Sequence, residues 1–255
     1  MARLETSNLS VVIGDTTVCR EAALAIAPGE CWGVLGRNGA GKTTLLHTLA
    51  GLRPPATGEI LLDGTALERI SPRQRARQIG VLFQDESDPF PATVLETALI
   101  GRHPFVGRWA WEEATDIELA RSALRTVHLD PLEDRLVSTL SGGERRRLAL
   151  ATLFTQDPEL FLLDEPTNHL DLHFQLLVLR HLSEQVSRRQ KSAVMILHDL
   201  NLAVRFCDHL ILLLGEGEIA TGPPGEVLTP ELLDRLYQHP LVRVEGPTGP
   251  FWIPR

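Results

Sequence analysis

The chain shows no long apolar run, no signal-peptide pattern in its first residues, no excess of positive charge and no patterned cysteine, and each absence bears on what is expected of it. No apolar stretch approaches the roughly 18 to 20 residues that span a bilayer, so the chain is not expected to cross a membrane alone. The N-terminal MARLETSNLS has neither the apolar stretch nor the cleavage site of a signal peptide, which predicts residence in the cytoplasm. Three scattered cysteines, Cys19, Cys31 and Cys207, have no metal-ligand spacing and form no disulfide framework; they read as reduced core thiols. With 25 Lys and Arg against 33 Asp and Glu, the net charge of −8 argues against a nucleic-acid partner, because binding phosphate backbones needs a basic face. The main basic run, RRR at 145–147, fits a solvated helix face as well as it fits a functional patch.

What is present is enough chain, 255 residues, for one compact unit with a sizeable core. Four short apolar runs read as buried strands: CWGVLG at 31–36, IGVLFQ at 79–84, LFLLDE at 160–165 and AVMILHD at 193–199. They are continuous rather than alternating and are separated by helical patterns, as a parallel sheet covered on both faces requires. The fold class is therefore α/β. Each run ends on chemistry: the Gly36 loop, Gln84, Asp164 with Glu165, and His198. Ligands of open α/β sheets bind beyond the carboxyl ends of the strands, so the four endings are expected to converge on one site.

The first ending is explicit. GRNGAGKT, comprising Gly36, Arg37, Asn38, Gly39, Ala40, Gly41, Lys42 and Thr43, matches the phosphate-binding pattern G-x-x-x-x-G-K-[ST]. It follows a strand and precedes the helical run TTLLHTLAGL, which opens with Thr43 and Thr44. Backbone N–H groups of such a loop turn towards phosphate oxygens, and the helix N-terminus adds its positive dipole end. Lys42 is expected to reach the β- and γ-phosphates and Thr43 to place its hydroxyl on Mg²⁺. Asp164, at a strand tip, can hold Mg²⁺ directly or through water, while Glu165 is placed to accept a proton from, or to orient, the attacking water. His198 can hydrogen-bond the γ-phosphate or that water.

A second glycine-rich helix start, LSGGE at 140–144, reads as a capping box between Ser141 and Glu144. The box does not explain Gly142 and Gly143, since glycine costs up to about 1 kcal/mol in a helix. Two glycines in a first turn point instead to close approach of a ligand at a helix mouth.

The Gly36–Thr43 loop, Gln84, LSGGE, LFLLDE, NHLD at 168–171 and His198 stand in the order of an ABC transporter ATPase subunit, and the resemblance covers nearly the whole chain. It implies a P-loop NTPase core of ABC type with a mixed sheet, an antiparallel β subdomain and a helical subdomain. Residues 1–230 would form one ATPase domain with the helical subdomain inserted at about 85–155, and 231–255 a C-terminal extension. It also implies ATP and Mg²⁺ as ligands, with Thr43, Gln84 and Asp164 on the metal, and a head-to-tail dimer with a second copy. Ser141, Gly142 and Gly143 of each copy would then contact the other's γ-phosphate, Asp171 would cross the seam, and Gln84 would link Mg²⁺ and water to an integral membrane permease. Family members place an aromatic before the first hairpin to stack on adenine; LSVVIGDTTV offers Ile13 there, and the only tyrosine is Tyr237, so adenine is expected to be held loosely or by apolar contact with Ile13.

TVLETALIGRHPFVGRW at 93–109, the stretch 198–233 and the closing VRVEGPTGPFWIPR resemble importer ATPases for iron chelates, haem and vitamin B12. That narrower resemblance implies work at the cytoplasmic face of the membrane, with an external binding protein feeding the permease. Apart from it, Trp109 and Trp111 read as packing or interface anchors. The alternatives are a soluble ABC ATPase and an exporter subunit. DNA-repair members need coiled-coil insertions, and no sustained heptad stretch lies between Lys42 and Ser141. LILLLGEGEIATG reads as a hairpin around Gly215 to Gly217.

Overall fold

A computed structural model describes residues 2–84, 91–107, 111–246 and 249–255. Its strands are β1 (Leu4–Ile13), β2 (Thr16–Ala22), β3 (Ala25–Ile26), β4 (Cys31–Gly36), β5 (Thr57–Leu62), β6 (Thr65–Ala66) and β7 (Ile79–Leu82). Then follow β8 (Leu160–Leu163), β9 (Ser192–Ile196), β10 (His209–Gly215), β11 (Glu218–Gly222), β12 (Leu241–Gly246) and β13 (Gly249–Pro254). The helices are α1 (Lys42–Leu49), α2 (Pro72–Gln78), α3 (Val94–Leu99), α4 (Ala114–Thr126), α5 (Gly142–Gln156), α6 (Leu172–Arg189), α7 (Leu200–Phe206), α8 (Pro224–Val227) and α9 (Pro230–Tyr237).

The central sheet has the order β11-β10-β4-β9-β8-β7, parallel from β10 through β7 with β11 as an antiparallel edge. The four strands expected from the apolar runs are thus consecutive neighbours, and their carboxyl ends share one edge. Side chains alternate between two cores, as the two-residue period of a strand demands. Val34, Leu162 and Ile211 face α1 and the antiparallel sheet, while Leu35, Leu163 and Leu212 face α5 and α6. Both faces are covered, which is why the runs read as unbroken apolar sequence. Three strands end sooner than expected: β7 stops at Leu82, β8 at Leu163 and β9 at Ile196. Gln84, Asp164, Glu165 and His198 therefore lie in the loops beyond the sheet. At Glu165 the chain turns through a left-handed backbone conformation, φ 50°, that no strand continues.

The smaller sheet, β2-β1-β5-β6 with β3 also on β1, is antiparallel. The predicted hairpin is present as β10 and β11, turning through Glu216 (φ 53°) and Gly217 (φ 83°). On the other side of the central sheet, α3 opens with a capping box between Thr93 and Glu96 and packs with α4 and α5. Arg102 joins Asp116 at 2.8 Å and stacks on Phe105 at 4.1 Å, while Arg73 and Arg77 of α2 both donate to the Pro104 carbonyl. Gly101 permits this packing: a Cβ there would lie 2.3 Å from the Thr152 carbonyl oxygen on α5. Trp111 is 88% exposed and packs into no core, and Trp109 lies outside the described residues. At the C-terminus α9 buries Leu233 and Leu236 in the larger core. The β12–β13 hairpin is pinned to α7, where the Asn201 amide both donates to and accepts from the Trp252 backbone. Among the described residues no helix is long and apolar enough to cross a membrane.

Candidate functional site

The site begins at the turn from β4 into α1. Gly39 and Gly41 take φ of 80° and 91°, which admit glycine readily and bend the loop around open space. A Cβ on Gly41 would also lie 2.4 Å from a Val18 methyl. No side chain caps α1, so its first N–H groups stay available to an anion. Lys42 is 7% exposed, and its ammonium donates to the carbonyls of Gly36 at 2.9 Å and Arg37 at 3.1 Å. Burial lowers its pKa, opposed by the nearby charges of Glu165 and Asp164.

This loop borders a cavity of about 450 Å³ lined by Asn38, Gly39, Gly41, Lys42, Thr43 and Thr44. Ile13, Gln84, Glu165 and His198 complete the wall. Residues from five separate stretches of sequence therefore meet beyond the strand ends. Gly36, Arg37 and Ala40 form the remaining frame of the loop. Ile13 closes β1 at 40% exposure and offers an apolar surface where an aromatic is missing.

Asp164 is fully buried, and neither of its carboxylate oxygens has a hydrogen-bond partner of normal geometry. Burial raises its pKa, partly offset by the Thr43 hydroxyl and reinforced by the charge of Glu165. Two bare carboxylate oxygens beside a threonine hydroxyl are a hard oxygen donor set that suits Mg²⁺. Gln84, on the cavity wall, brings a fourth oxygen.

Glu165, 8% exposed, is held at both oxygens. His198 Nε2 lies 2.6 Å from Oε1, while Asn168 Nδ2 donates to Oε2 and Gln84 Nε2 lies 3.5 Å from the same atom. From beneath, the Arg146 guanidinium donates to the backbone carbonyls of Phe83, Asp164 and Glu165 at 2.6, 2.6 and 2.7 Å. Sequence reasoning named neither Asn168 nor Arg146 as a site residue. Asn168 stood inside the NHLD motif, while Arg146 was hidden in a basic run.

The mouth at Ser141 has the expected capping box: Ser141 N donates to Glu144 Oε2 at 2.7 Å and Glu144 N to Ser141 Oγ at 3.3 Å. Gly142 and Gly143 begin α5 with ordinary helical backbone, so no special φ calls for glycine. A Cβ on Gly142 would meet nothing within 4 Å, and one on Gly143 only the His169 carbonyl at 3.2 Å. Internal packing thus gives no reason for Gly142, whose bare backbone faces outward. Asp171 caps α6 by accepting from Phe174 N at 3.0 Å and is exposed. Ser141, Gly142, Gly143 and Asp171 do not line the cavity of their own chain.

The model of the ABC transporter family matches residues 19–168. The petrobactin import ATP-binding protein of Bacillus anthracis is 39% identical over 237 residues, covering 92% of this chain and 86% of that protein. The ferric enterobactin transport ATP-binding protein of Escherichia coli K12 is 36% identical over 98% of this chain and 92% of its own. The hemin import ATP-binding protein of Myxococcus xanthus is 40% identical over 98% of this chain and 96% of its own. Among solved structures, an inward-facing metal-chelate type ABC transporter superposes with a TM-score of 0.85 at 28% identity, covering 100% of this chain and 98% of the other. A dimeric bacterial ABC transporter cassette gives 0.77 at 25% identity over 86% of this chain and 98% of its own. A phosphate loop, two strand-tip acids and a glycine mouth in family order, with relatives this similar over nearly the whole chain, place the protein in the ABC transporter family as one of its ATPases.

Proposed function

We propose that this chain is the ATP-hydrolysing subunit of an importer for iron–siderophore or haem-type cargo, working as a head-to-tail pair beneath a separate membrane permease on the cytoplasmic face. The observation that carries the ATPase part is the cavity at the ends of four parallel strands, where a phosphate cradle and a hydrogen-bonded glutamate meet, with the buried Asp164 carboxylate next to that glutamate in the chain. The cargo class rests on the siderophore and hemin systems to which the relatives belong. Cobalamin, the third cargo expected from the sequence, is an outcome for the same experiment. Delivery of cargo by an external binding protein follows from the import reading.

In this mechanism the N–H groups of Gly39 to Thr43 and the Lys42 ammonium receive the phosphates of ATP. Lys42 exchanges the Gly36 and Arg37 carbonyls for phosphate oxygens, so its charge is spent on substrate only when substrate is present. Thr43, Asp164 and Gln84 would hold Mg²⁺, which supplies charge neutralisation at the β- and γ-phosphates. Water attacks the γ-phosphorus, the bond to the ADP oxygen breaks, and Glu165 takes the proton of the water. His198 and Asn168 hold the carboxylate in line. Ser141, Gly142 and Gly143 of the second copy cover the γ-phosphate, which makes hydrolysis conditional on closure, and Asp171 lies at the seam. The helical part at about 85–155 is the surface offered to the permease.

The test is to tag the chain, purify it from gently solubilised membranes of its own organism, and identify what accompanies it. A polytopic permease in equal amount supports the reading, and its transported cargo names the substrate. Recovery with ribosomes or DNA, or alone, refutes the import assignment and leaves the ATPase chemistry standing.

A further inference from the structure

α5 carries three consecutive arginines, and they point in three directions. Arg145 donates to the carbonyls of Leu140 at 3.2 Å and Ser138 at 3.0 Å, bracing the loop that leads into the mouth. Arg147 donates to the carbonyls of Val127 at 2.8 Å and His128 at 3.1 Å, and lies over the Phe174 ring at 4.1 Å. Arg146 turns inward, is 6% exposed, and spends its guanidinium on the floor of the site.

Its contacts are specific in place. Phe83 immediately precedes Gln84, so the bond from Nη1 to the Phe83 carbonyl fixes the start of the Gln84 loop beyond β7. Nη2 bridges the carbonyls of Asp164 and Glu165 beyond β8. One planar fork thus spans two neighbouring strand ends, holding the backbone of Phe83 on one and of Asp164 and Glu165 on the other. Lysine, a point charge, has no comparable fixed geometry. Glu165 sits at φ 50°, a conformation that a glutamate does not choose unaided, and its carbonyl is one of the three that Arg146 holds.

We infer that Arg146 is a positioning residue for Glu165 and Gln84, and that through it the helix starting at Ser141 sets the placement of the catalytic base. Arg146 lies five residues into the helix from its cap, about 7.5 Å along the axis at 1.5 Å per residue. A shift of the mouth when it meets a partner's nucleotide is therefore carried by one rigid turn and a half to the backbone of Glu165. Misplacement of a reacting group by about 1 Å can cost on the order of a hundredfold in rate, so a clamp of this kind governs turnover without touching substrate. The inference rests on Glu165 being the base.

The test compares Arg146→Met, which removes every donor, with Arg146→Lys, which keeps the charge and fewer fixed donors, and with Glu165→Gln. Full-length protein is assayed for kcat and KM with Mg-ATP, for ATP affinity and for thermal melting. Arg146→Met is expected to lower kcat by about tenfold or more, with KM and ATP affinity within about twofold of the parent and melting still cooperative; Arg146→Lys is expected to recover part of kcat. If Arg146→Met does not fold, a folded Arg146→Lys with reduced kcat and unchanged KM supports the inference, and one with parental kcat overturns it. Parallel loss of kcat, ATP affinity and melting temperature shows a merely structural arginine and overturns it too. Normal turnover by Glu165→Gln removes the base assignment itself, whereas an inactive Glu165→Gln beside fully active Arg146 variants refutes the clamp alone.

Discussion

Glu165→Gln separates binding from hydrolysis most cleanly. The substitution keeps shape and volume, removes one negative charge, and turns one carboxylate oxygen into an N–H donor. In the protein Glu165 receives donors at both oxygens, from His198 at 2.6 Å on one side and from Asn168 with Gln84 on the other. A glutamine amide can keep its oxygen towards Asn168 and Gln84 and turn its N–H towards His198, whose Nε2 accepts in the other tautomer, but the charge in these bonds is gone. That loss of a charge-assisted bond costs about 1.5–3 kcal/mol, opposed by relief of the repulsion between Glu165 and Asp164. The net change in stability is therefore small, within about 2 kcal/mol, and the Gly36 loop is untouched. Hydrolysis loses its proton acceptor; general-base contributions run at about 10²- to 10⁴-fold, or roughly 2.7 to 5.4 kcal/mol of barrier. The assay is phosphate release at saturating Mg-ATP, with equilibrium binding of a fluorescent ATP analogue and sedimentation to follow pairing. The expected result is tight binding, a stable nucleotide-bound pair and turnover reduced by at least about a hundredfold. Turnover within a few-fold of the parent refutes Glu165 as the base.

Further tests address the buried groups and the base site. Because burial raises the pKa of Asp164, that group favours the fold at acid pH, and the contribution is lost as pH rises through its folded value; at neutral pH the ionised carboxylate is a burden. Asp164→Asn is therefore expected to raise the melting temperature without Mg²⁺ and nucleotide by a few degrees while abolishing hydrolysis, and a lowered melting temperature contradicts the reasoning. Tyr237, the only tyrosine, is half-buried against the larger core and desolvation pushes its phenol up to about 12, so ultraviolet titration should show no tyrosinate near 10 while the fold holds. Its stabilising share is complete at neutral pH and is lost as pH rises towards about 12; a transition near 10 in folded protein refutes the packing of α9. Ile13→Tyr supplies an aromatic at the cavity rim and should tighten ATP binding by about tenfold, in line with stacking energies of about 1–3 kcal/mol, whereas unchanged affinity removes Ile13 from the base site.

The legible parts of the molecule were those whose physics is local. β4 occupies 31–36 as expected, the capping box at Ser141 closes as its spacing requires, and the hairpin turns at Gly215 to Gly217. Continuous apolar runs identified the parallel strands because both faces of the sheet are covered. Strand ends were read too long at 84, 165 and 199, since apolar pattern cannot see where a left-handed residue such as Glu165 breaks the ladder. Arg146 was illegible for a different reason: its partners lie 63, 18 and 19 residues away and are backbone carbonyls, which leave no trace in side-chain pattern. In sequence the three arginines of 145–147 are equivalent; only the rotation of α5 makes one a clamp and the others braces. Of the two roles read for Trp111, packing or interface anchor, its exposure removes packing, and the closing residues gave no hint of the hairpin that Asn201 holds through Trp252.

The claim that each ATP site needs two copies is tested most directly by mixing two inactive variants. Lys42→Ala disables the phosphate loop, and Ser141→Arg blocks the mouth; each alone should be nearly inactive. Random re-pairing of an equal mixture puts about half of the chains in mixed dimers, each with one complete site, so the mixture should regain about a quarter of the parental rate. Activity that stays absent in the mixture, or a Ser141→Arg variant that hydrolyses ATP normally alone, contradicts a site shared between copies.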